Sequence, residues 1–415
     1  MGQSEVPSQR IGIIGAGIVG ISCALFLQRD GHSVRIIDSQ LPGQGASFGN
    51  AGIIAISCTP EATPGVLLRV PSMLMNPTSP LAIRWRYIPH LLPWLWRFIQ
   101  SAQPNRVEKI SVALASLSSR AREAYDVLLK QTNATNLVRS DGWLKVFRTE
   151  KAFKQSLTEQ KLMSRRGLSI DVLNSEHIRQ LEPALAPIFP RGLLLRDSAF
   201  VPNPGRLIET FTSDFLDRGG KLQQETALKL EPTKTTHRVV TDRSTYDFDV
   251  IILCAGAWSA SLARQLKISV PLDTERGYHL ALPLPNQNLK RPVLIADHYF
   301  VLAPMDDCLR LTSAAEMAGL EAPPDFTLPH RLLPLAKEAL PSLVPTVQDS
   351  WIGFRPSMPD STPVIGQATG TSGVYFAFGH GHLGLTHGPI TGRIIADLIA
   401  NRDPGLNMSP FRVDR

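Results

Sequence analysis

Four cysteines in 415 residues leave little scope for disulfide chemistry. Cys23, Cys58, Cys254 and Cys308 form no C-x-x-C pair and have no zinc-ligand spacing, and Cys23 and Cys254 lie in apolar runs where a thiol packs as a small hydrophobe. A reducing, cytoplasmic setting is therefore expected. The chain lacks any run of about 18 uncharged apolar residues, so no transmembrane helix is expected. The opening segment, MGQSEVPSQR, is polar, so no secretory leader is expected before the first strand. Internal repeats, low-complexity tracts and nucleic-acid-binding modules are also missing. Lys and Arg exceed Asp and Glu, 43 against 36, but the surplus is spread along the chain and identifies no partner.

What is present is a chain with 43% hydrophobic residues, enough for a substantial core and long enough for two or three domains. Residues 11–15 read as a short, continuously apolar strand. A helical pattern follows to Asp30, and Ser33 to Asp38 forms a second buried strand, giving a βαβ unit with a parallel sheet. Further on, Glu108 to Leu129, Lys151 to Arg166, Ser175 to Leu181 and Arg206 to Arg218 read as helices, and Trp143 to Phe147 as a strand. Asp249 to Cys254 is another continuous apolar strand. Short alternating strands at Tyr278 to Leu282, Tyr299 to Ala303 and Leu309 to Thr312 predict an antiparallel sheet. Glycine-rich strand-to-helix material returns from Trp351 to Asn401, with the final helix starting at Pro389.

Dinucleotide-type segments thus occur at the start, middle and end of the chain. The expected fold is α/β: a Rossmann-like domain with a parallel sheet, interleaved with an α+β substrate domain that has an antiparallel sheet. The cofactor domain is assigned to residues 1–70, 191–265 and 346–415, and the substrate domain to 71–190 and 266–345.

Gly15-Ala16-Gly17-Ile18-Val19-Gly20 lies between strand and helix, the context that gives such a motif weight. Gly15 permits the tight turn, Gly17 lets the backbone approach a pyrophosphate, and Gly20 lets the helix pack closely on the sheet. The N–H groups of the helix start face the diphosphate. Asp38, ending the second strand, can accept hydrogen bonds from ribose hydroxyls. The motif alone does not separate FAD from NAD.

Five further segments narrow it: Gly45 to Gly52 (GASFGNAG), Ile252 to Ser259 (ILCAGAWS), Trp351 to Pro356 (WIGFRP), Asp360 to Gly366 (DSTPVIG) and Gly379 to Thr386 (GHGHLGLT). Together with the fingerprint they span residues 11 to 392, and the chain resembles the D-amino acid oxidase superfamily, nearest its D-amino acid dehydrogenase branch. The resemblance implies FAD, an antiparallel sheet roofing the flavin, and oxidation of an amine carbon by hydride transfer to flavin N5. It places Ser47, Asn50, Gly52, Gly256 and Trp258 at the cofactor, with Gly381, His382, Leu383 and Gly384 beside the flavin. It also implies that Arg355 of the Gly-Phe-Arg-Pro motif holds the substrate carboxylate.

Physical chemistry agrees with these roles. A guanidinium grips a carboxylate bidentately and stays charged at any working pH. Reduced flavin gains negative charge near N1, and the N-terminus of the last helix supplies a positive field there. Arg355, Tyr278, Tyr299 and His380 are the candidate catalytic residues, the phenols as second donors to the carboxylate. Pairing with Asp360 is the alternative role for Arg355, and packing within the sheet the alternative for both tyrosines. His380 and His382 are close in sequence, but no third ligand is apparent and no metal is expected. His279 and His298 receive no role.

The expected activity is FAD-dependent oxidation of a D-amino acid to the imine and then the 2-oxo acid, with electrons passed to a quinone or other carrier. An oxygen-using D-amino acid or glycine/sarcosine-type oxidase is one alternative, and a non-catalytic FAD-binding scaffold another. Ala199 to Gly205 (AFVPNPG) is similar to relatives acting on cyclic secondary amines such as cis-4-hydroxy-D-proline. The stretch from Arg84-Trp85-Arg86-Tyr87 to Trp94-Leu95-Trp96-Arg97 mixes cations with aromatics, as membrane-interfacial segments do, which would put the protein peripherally on the cytoplasmic face of an inner membrane. Packing of these tryptophans inside the substrate domain is the alternative.

Overall fold

The computed structural model describes residues 7–76, 79 and 81–415; the first six residues of the polar N-terminal segment and residues 77, 78 and 80 of the Pro- and Trp-rich stretch lie outside the described residues. A six-stranded sheet is assembled from distant segments, in the spatial order Val364–Gln367, Val374–Phe378, Val250–Leu253, Arg10–Ile14, Ser33–Asp38 and Lys221–Gln224. Its pairs are parallel except for the edge pair Val364–Gln367 with Val374–Phe378.

The continuous apolar runs have a direct cause, because this sheet is covered on both faces. Ile11, Ile13, Ile36 and Ile252 point into a core shared with the helices Ile18–Arg29, Pro104–Gln131 and Gly384–Ile399. Ile14, Ile37, Ile251 and Leu253 point the other way, onto a three-stranded meander built from Ala227–Pro232, His237–Thr241 and Thr245–Phe248. Each such side chain contributes roughly 1.5–3 kcal/mol when fully buried. The first and last helices cross closely at Gly392, where a Cβ would stand 2.6 Å from the Ser22 carbonyl carbon.

The second sheet has nine strands and is largely antiparallel. In order it runs Asp349–Ser357, Asp273–Leu282, Leu309–Met317, Phe300–Pro304, Val293–Ile295, Trp143–Phe147, Arg191–Leu195 and Asp171–Asn174, with Leu81–Ile83 also paired to Leu309–Met317. Two of its pairs are parallel, Val293–Ile295 with Trp143–Phe147 and Leu81–Ile83 with Leu309–Met317. Strands Arg191–Leu195 and Asp349–Ser357 belong to this sheet, although the sequence boundaries placed both in the cofactor domain. Asp349–Ser357 is separated from the parallel sheet only by the short loop 358–363, and Arg191–Leu195 by Ala199–Phe200 and the helix Pro204–Asp217; in neither place does the change of partner mark the hydropathy. No described helix is long and apolar enough to cross a membrane.

Two helices differ from their sequence reading. The pattern from Lys151 to Arg166 breaks at Ser156 into Glu150–Gln155 and Leu157–Arg165. The last helix starts at Gly384 rather than at Pro389, which sits inside it. A proline within a helix leaves the carbonyl four residues earlier without its N–H partner. Here that carbonyl belongs to Leu385, and the buried hydroxyl of Tyr125 donates to it at 2.5 Å. The long helix Pro104–Gln131 therefore repairs the last helix and lets its N-terminus begin a turn earlier.

Candidate active site

One cavity of about 2060 Å³ runs from the fingerprint to the glycine-rich loop that precedes the last helix. At the first end it is lined by Gly15, Gly17, Ile18, Val19, Asp38 and Ser47. Gly15 has φ +112°, and a Cβ there would lie 2.3 Å from the Cys254 carbonyl oxygen. Behind the wall, a Cβ on Gly20 would meet the Gly15 carbonyl oxygen at 1.9 Å, so the helix start can approach the strand only with glycine. Asp38 accepts from the backbone N–H of Ala16 at 2.6 Å and of Gln40 at 2.9 Å. Burial pushes its carboxyl up, against the pull of those hydrogen bonds. Ser47 Oγ accepts from the N–H of Ile18, the first residue of the helix, at 3.1 Å.

Asn50, Gly256 and Trp258 line the middle of the cavity. Gly256 has φ +54° and no heavy atom near its Cβ direction, leaving the backbone open for a ligand to approach. Gly52 stands behind the wall: its φ is +69°, its N–H donates to Asn50 Oδ1, and a Cβ would meet the Val201 carbonyl oxygen at 2.2 Å. The Phe48–Asn50 loop is held from the second sheet, where Arg310 donates to the carbonyls of Phe48 and Asn50. His279 Nδ1 meets the Gly49 carbonyl at 2.9 Å and the ring stacks on Trp351. Burial lowers His279 to about 4, which marks it as a neutral packing residue. Burial also lowers His298.

At the far end, His380, Gly381, His382, Leu383 and Gly384 line the cavity with Arg355. Gly381 has φ +51° and precedes the first turn of the last helix, whose free N–H groups lie at this end. His380 is buried, bonded through Nε2 to Thr391 Oγ1 at 2.9 Å, and burial lowers it to about 3. It is a neutral wall residue.

Arg355 lies opposite Glu275 in the pairing of Asp349–Ser357 with Asp273–Leu282. Its guanidinium lies over Gly277, where any Cβ would be 2.3 Å from Nη2. Burial lowers its pKa while the charges of Glu275 and Glu61 oppose that shift. Asp360, the alternative partner weighed from sequence, is instead gripped by Arg415.

Sequence reasoning placed His382 here but missed the two carboxylates that complete the cluster, Glu61 and Glu275. His382 Nδ1 is 2.5 Å from Glu61 Oε1, and its Nε2 is 3.6 Å from Glu275 Oε2. Burial would raise Glu61, but the charge and hydrogen bond of His382 overturn that and hold it at about 2. Burial, followed by the charge of Glu61, raises Glu275 to about 7. His382 is lowered by burial but raised overall by Glu61. The side chain of His382 is 45% exposed, and that surface opens onto the cavity deep within the molecule. The three side chains put ligand atoms within 4.8 Å of one another, so their spacing would admit a metal ion. Arg355 already brings positive charge to both carboxylates, and the arrangement suits a shared proton. One signal was available in advance: Glu61 is the only Asp or Glu between Asp38 and Glu108.

The two tyrosines take different places. Tyr278 borders the cavity, but its hydroxyl donates to Glu316 Oε2 at 2.5 Å and accepts from the Asp325 N–H at 3.0 Å. Strand alternation explains this: Glu275, Gly277 and His279 face one side, while Arg276 and Tyr278 face Glu316 on the other. The hydroxyl of Tyr278 is thus committed to the sheet rather than to a ligand. Tyr299 sits in a turn with φ +52°, not on the strand, and its hydroxyl accepts from Arg69 Nη1 at 3.1 Å at the cavity wall. The segment Ala199 to Gly205 does not line the cavity; it pairs with Ile53–Ile54, and Asn203 caps the helix Pro204–Asp217.

A glycine cradle, open backbone at Gly256 and an unbroken cavity from Asp38 to Gly384 fit a dinucleotide whose second half reaches Arg355. Fold and site together define a flavoprotein oxidoreductase. The chain belongs to the FAD dependent oxidoreductase (DAO) family, which it matches over residues 10–398, and its cofactor is FAD. It is 34% identical to a D-amino-acid oxidase of Bradyrhizobium diazoefficiens, over 98% of this chain and 99% of that protein. It is 29% identical to a D-amino acid dehydrogenase of Allorhizobium ampelinum, over 98% of each. Among solved structures, glycine oxidase from Geobacillus kaustophilus shares the fold with a TM-score of 0.76 at 20% identity, over 98% of this chain and 99% of that one.

Proposed function

We propose that this protein oxidises D-amino acids to the imine, which water hydrolyses to the 2-oxo acid and ammonia. The observation that carries the reading is a cavity-lining arginine, Arg355, set beside two carboxylates and a histidine near the N-terminus of the last helix. Gly15 to Gly20, Asp38, Ser47 and Asn50 would hold the adenosine and diphosphate half of FAD, and Gly256, Trp258 and Gly381 to Gly384 the ring half. Bound FAD supplies the two-electron acceptor for the hydride that leaves Cα.

The chain's own residues do the rest. Arg355 grips the α-carboxylate and orients Cα. Glu275, whose pKa burial and the charge of Glu61 raise to about 7, accepts a proton from the substrate ammonium, and the lone pair freed on nitrogen assists loss of the hydride from Cα. Taking that proton neutralises Glu275 and leaves the charge of Arg355 to the substrate. His382 and Glu61 hold Glu275 in place and share its proton.

The apolar arm of the cavity, with Leu67, Met73, Leu95 and Phe98 in its wall, supports substrates with sizeable apolar side chains. Cyclic secondary amines such as cis-4-hydroxy-D-proline belong to the same chemistry and are the second substrate class of this reading. Electrons leave for a quinone or another carrier. An oxygen-using oxidase is the second reading, favoured by the name of the relative at 34% identity.

The test is anaerobic titration of the yellow protein with D- and L-amino acids and hydroxyprolines. Bleaching of the flavin band by a D-amino acid is the expected result, and a spectrum unmoved by any of them would overturn the proposal. Reoxidation by air against reoxidation by a short-chain quinone then separates the two acceptors.

A further inference from the structure

The surface around the cavity mouth has a composition that the chemistry inside does not explain. Among the described residues, eight of the nineteen large apolar side chains left exposed lie between Leu68 and Ile99. On the helix Ile88–Ser101, Leu91 and Trp94 are buried and pack with Met317. Ile88, Leu92, Trp96 and Ile99, spaced four, four and three apart, form a second apolar stripe that faces outward. Trp96 is 64% exposed and Trp85, just before the helix, 72%. Of the tryptophans read from sequence as interfacial or internal, Trp94 is therefore internal and the other two are not.

Charge singles out the same face. From Ala62 to Val107 the sequence has no Asp, Glu or Lys, but it has five arginines. Arg84 is tied to Glu316 and Arg69 to Tyr299 and Gln155. Arg86 and Arg97 are exposed, and the Arg86 guanidinium lies 5.0 Å from the Trp85 ring centre. A protein partner would have to match tryptophans and arginines with shaped pockets and placed carboxylates. An anionic bilayer needs only a headgroup layer for the aromatics and phosphates for the arginines.

We infer that this face docks on an anionic lipid bilayer, with Trp85, Leu92 and Trp96 at the headgroup–acyl boundary and Arg86 and Arg97 against lipid phosphates. Leu68, Leu74 and Ile99 line the cavity as well as standing exposed, so its mouth opens on the docked side. A lipid-soluble electron acceptor would then reach the cavity directly from the bilayer. That corollary rests on the carrier reading above; the docking itself does not.

The test is co-sedimentation of the FAD-loaded protein with phosphatidylcholine vesicles, with and without phosphatidylglycerol, in low and high salt. Binding is expected to anionic vesicles only and to weaken in high salt. Trp85→Ser, Leu92→Ser and Trp96→Ser combined should abolish it, and Arg86→Glu with Arg97→Glu should weaken it roughly fivefold or more per arginine. The flavin spectrum and melting temperature, unchanged in both variants, control for folding. The charge-reversed pair answers the question by itself if the serine variant is unstable. Wild-type protein left in the supernatant with anionic vesicles in low salt would overturn the proposal, as would variants that bind like wild type. A dimer that dissociates in the serine variant, without vesicle binding by either form, would overturn it in favour of a second copy on this face.

Discussion

At the fingerprint end of the cavity the wall is mostly glycine-rich backbone, with the carboxylate of Asp38 and the hydroxyl of Ser47 set against main-chain N–H groups. At the Arg355 end they are four ionisable side chains from four separate segments: Glu61, Glu275, Arg355 and His382. The first end is specified by backbone approach, so its tolerance for change is set by sterics and is close to all-or-none. The second is specified by charge balance in a low-dielectric setting, so its responses are graded and follow pH. The same cavity thus holds a rigid half that binds and a titratable half that reacts.

The largest effect should come from breaking the rigid half. Gly15→Val places a side chain 2.3 Å from the Cys254 carbonyl at a φ that valine avoids. It should cost about 3 kcal/mol or more and yield protein without the flavin absorbance band. A yellow variant of normal melting temperature would show that this end is not steric in origin.

Next is the charged half. Arg355→Ala should keep its FAD and lose on the order of a hundredfold in kcat/KM, mostly through KM, since truncating one partner of a desolvated ion pair costs about 2–5 kcal/mol. Wild-type KM for D-amino acids would remove Arg355 from the substrate site.

A finer test concerns the proton. Glu275 is raised to about 7, so it is protonated below that pH and can accept a proton only above it. The kcat/KM of wild type should therefore rise with pH through about 7. In Glu275→Gln that inflection should vanish, leaving the rise that follows the substrate amine. An unchanged profile in the variant would assign the proton elsewhere.

The smallest expected effect links the two halves through the last helix. Tyr125→Phe leaves the Leu385 carbonyl buried without its donor, at about 1–3 kcal/mol measured by thermal or denaturant unfolding. Stability equal to wild type would mean that the proline needs no repair.

The sequence made the rigid half readable because its information is local. Strand, glycines, helix and Asp38 fall within one βαβ unit, and their boundaries were read to within a residue or two. The titratable half is non-local. His382 and Glu61 stand 321 residues apart, and neither position carries a spacing rule that would join them. Of the four groups there, only Arg355 and His382 were anticipated, through motifs; the two carboxylates were not. Strand parity placed the Tyr278 hydroxyl on the side of Glu316, which could be judged only with the register known. Pro389 misled for a related reason, since its repair comes from a tyrosine on another helix.

The interleaving of the two sheets has a consequence for how the protein is made. Strand Arg10–Ile14 emerges from the ribosome long before one of its two neighbours, Val250–Leu253, which lies more than two hundred residues downstream. The next strand outward, Val374–Phe378, and the loop that closes the cavity follow more than a hundred residues later still. Until then Ile11, Ile13 and Ile36, fully buried in the finished fold, have an incomplete sheet around them and an open edge. Cofactor capture therefore waits for Val374–Phe378 and the loop that follows it, and until then the nascent protein carries its best-defined motif as an incompletely covered, aggregation-prone surface.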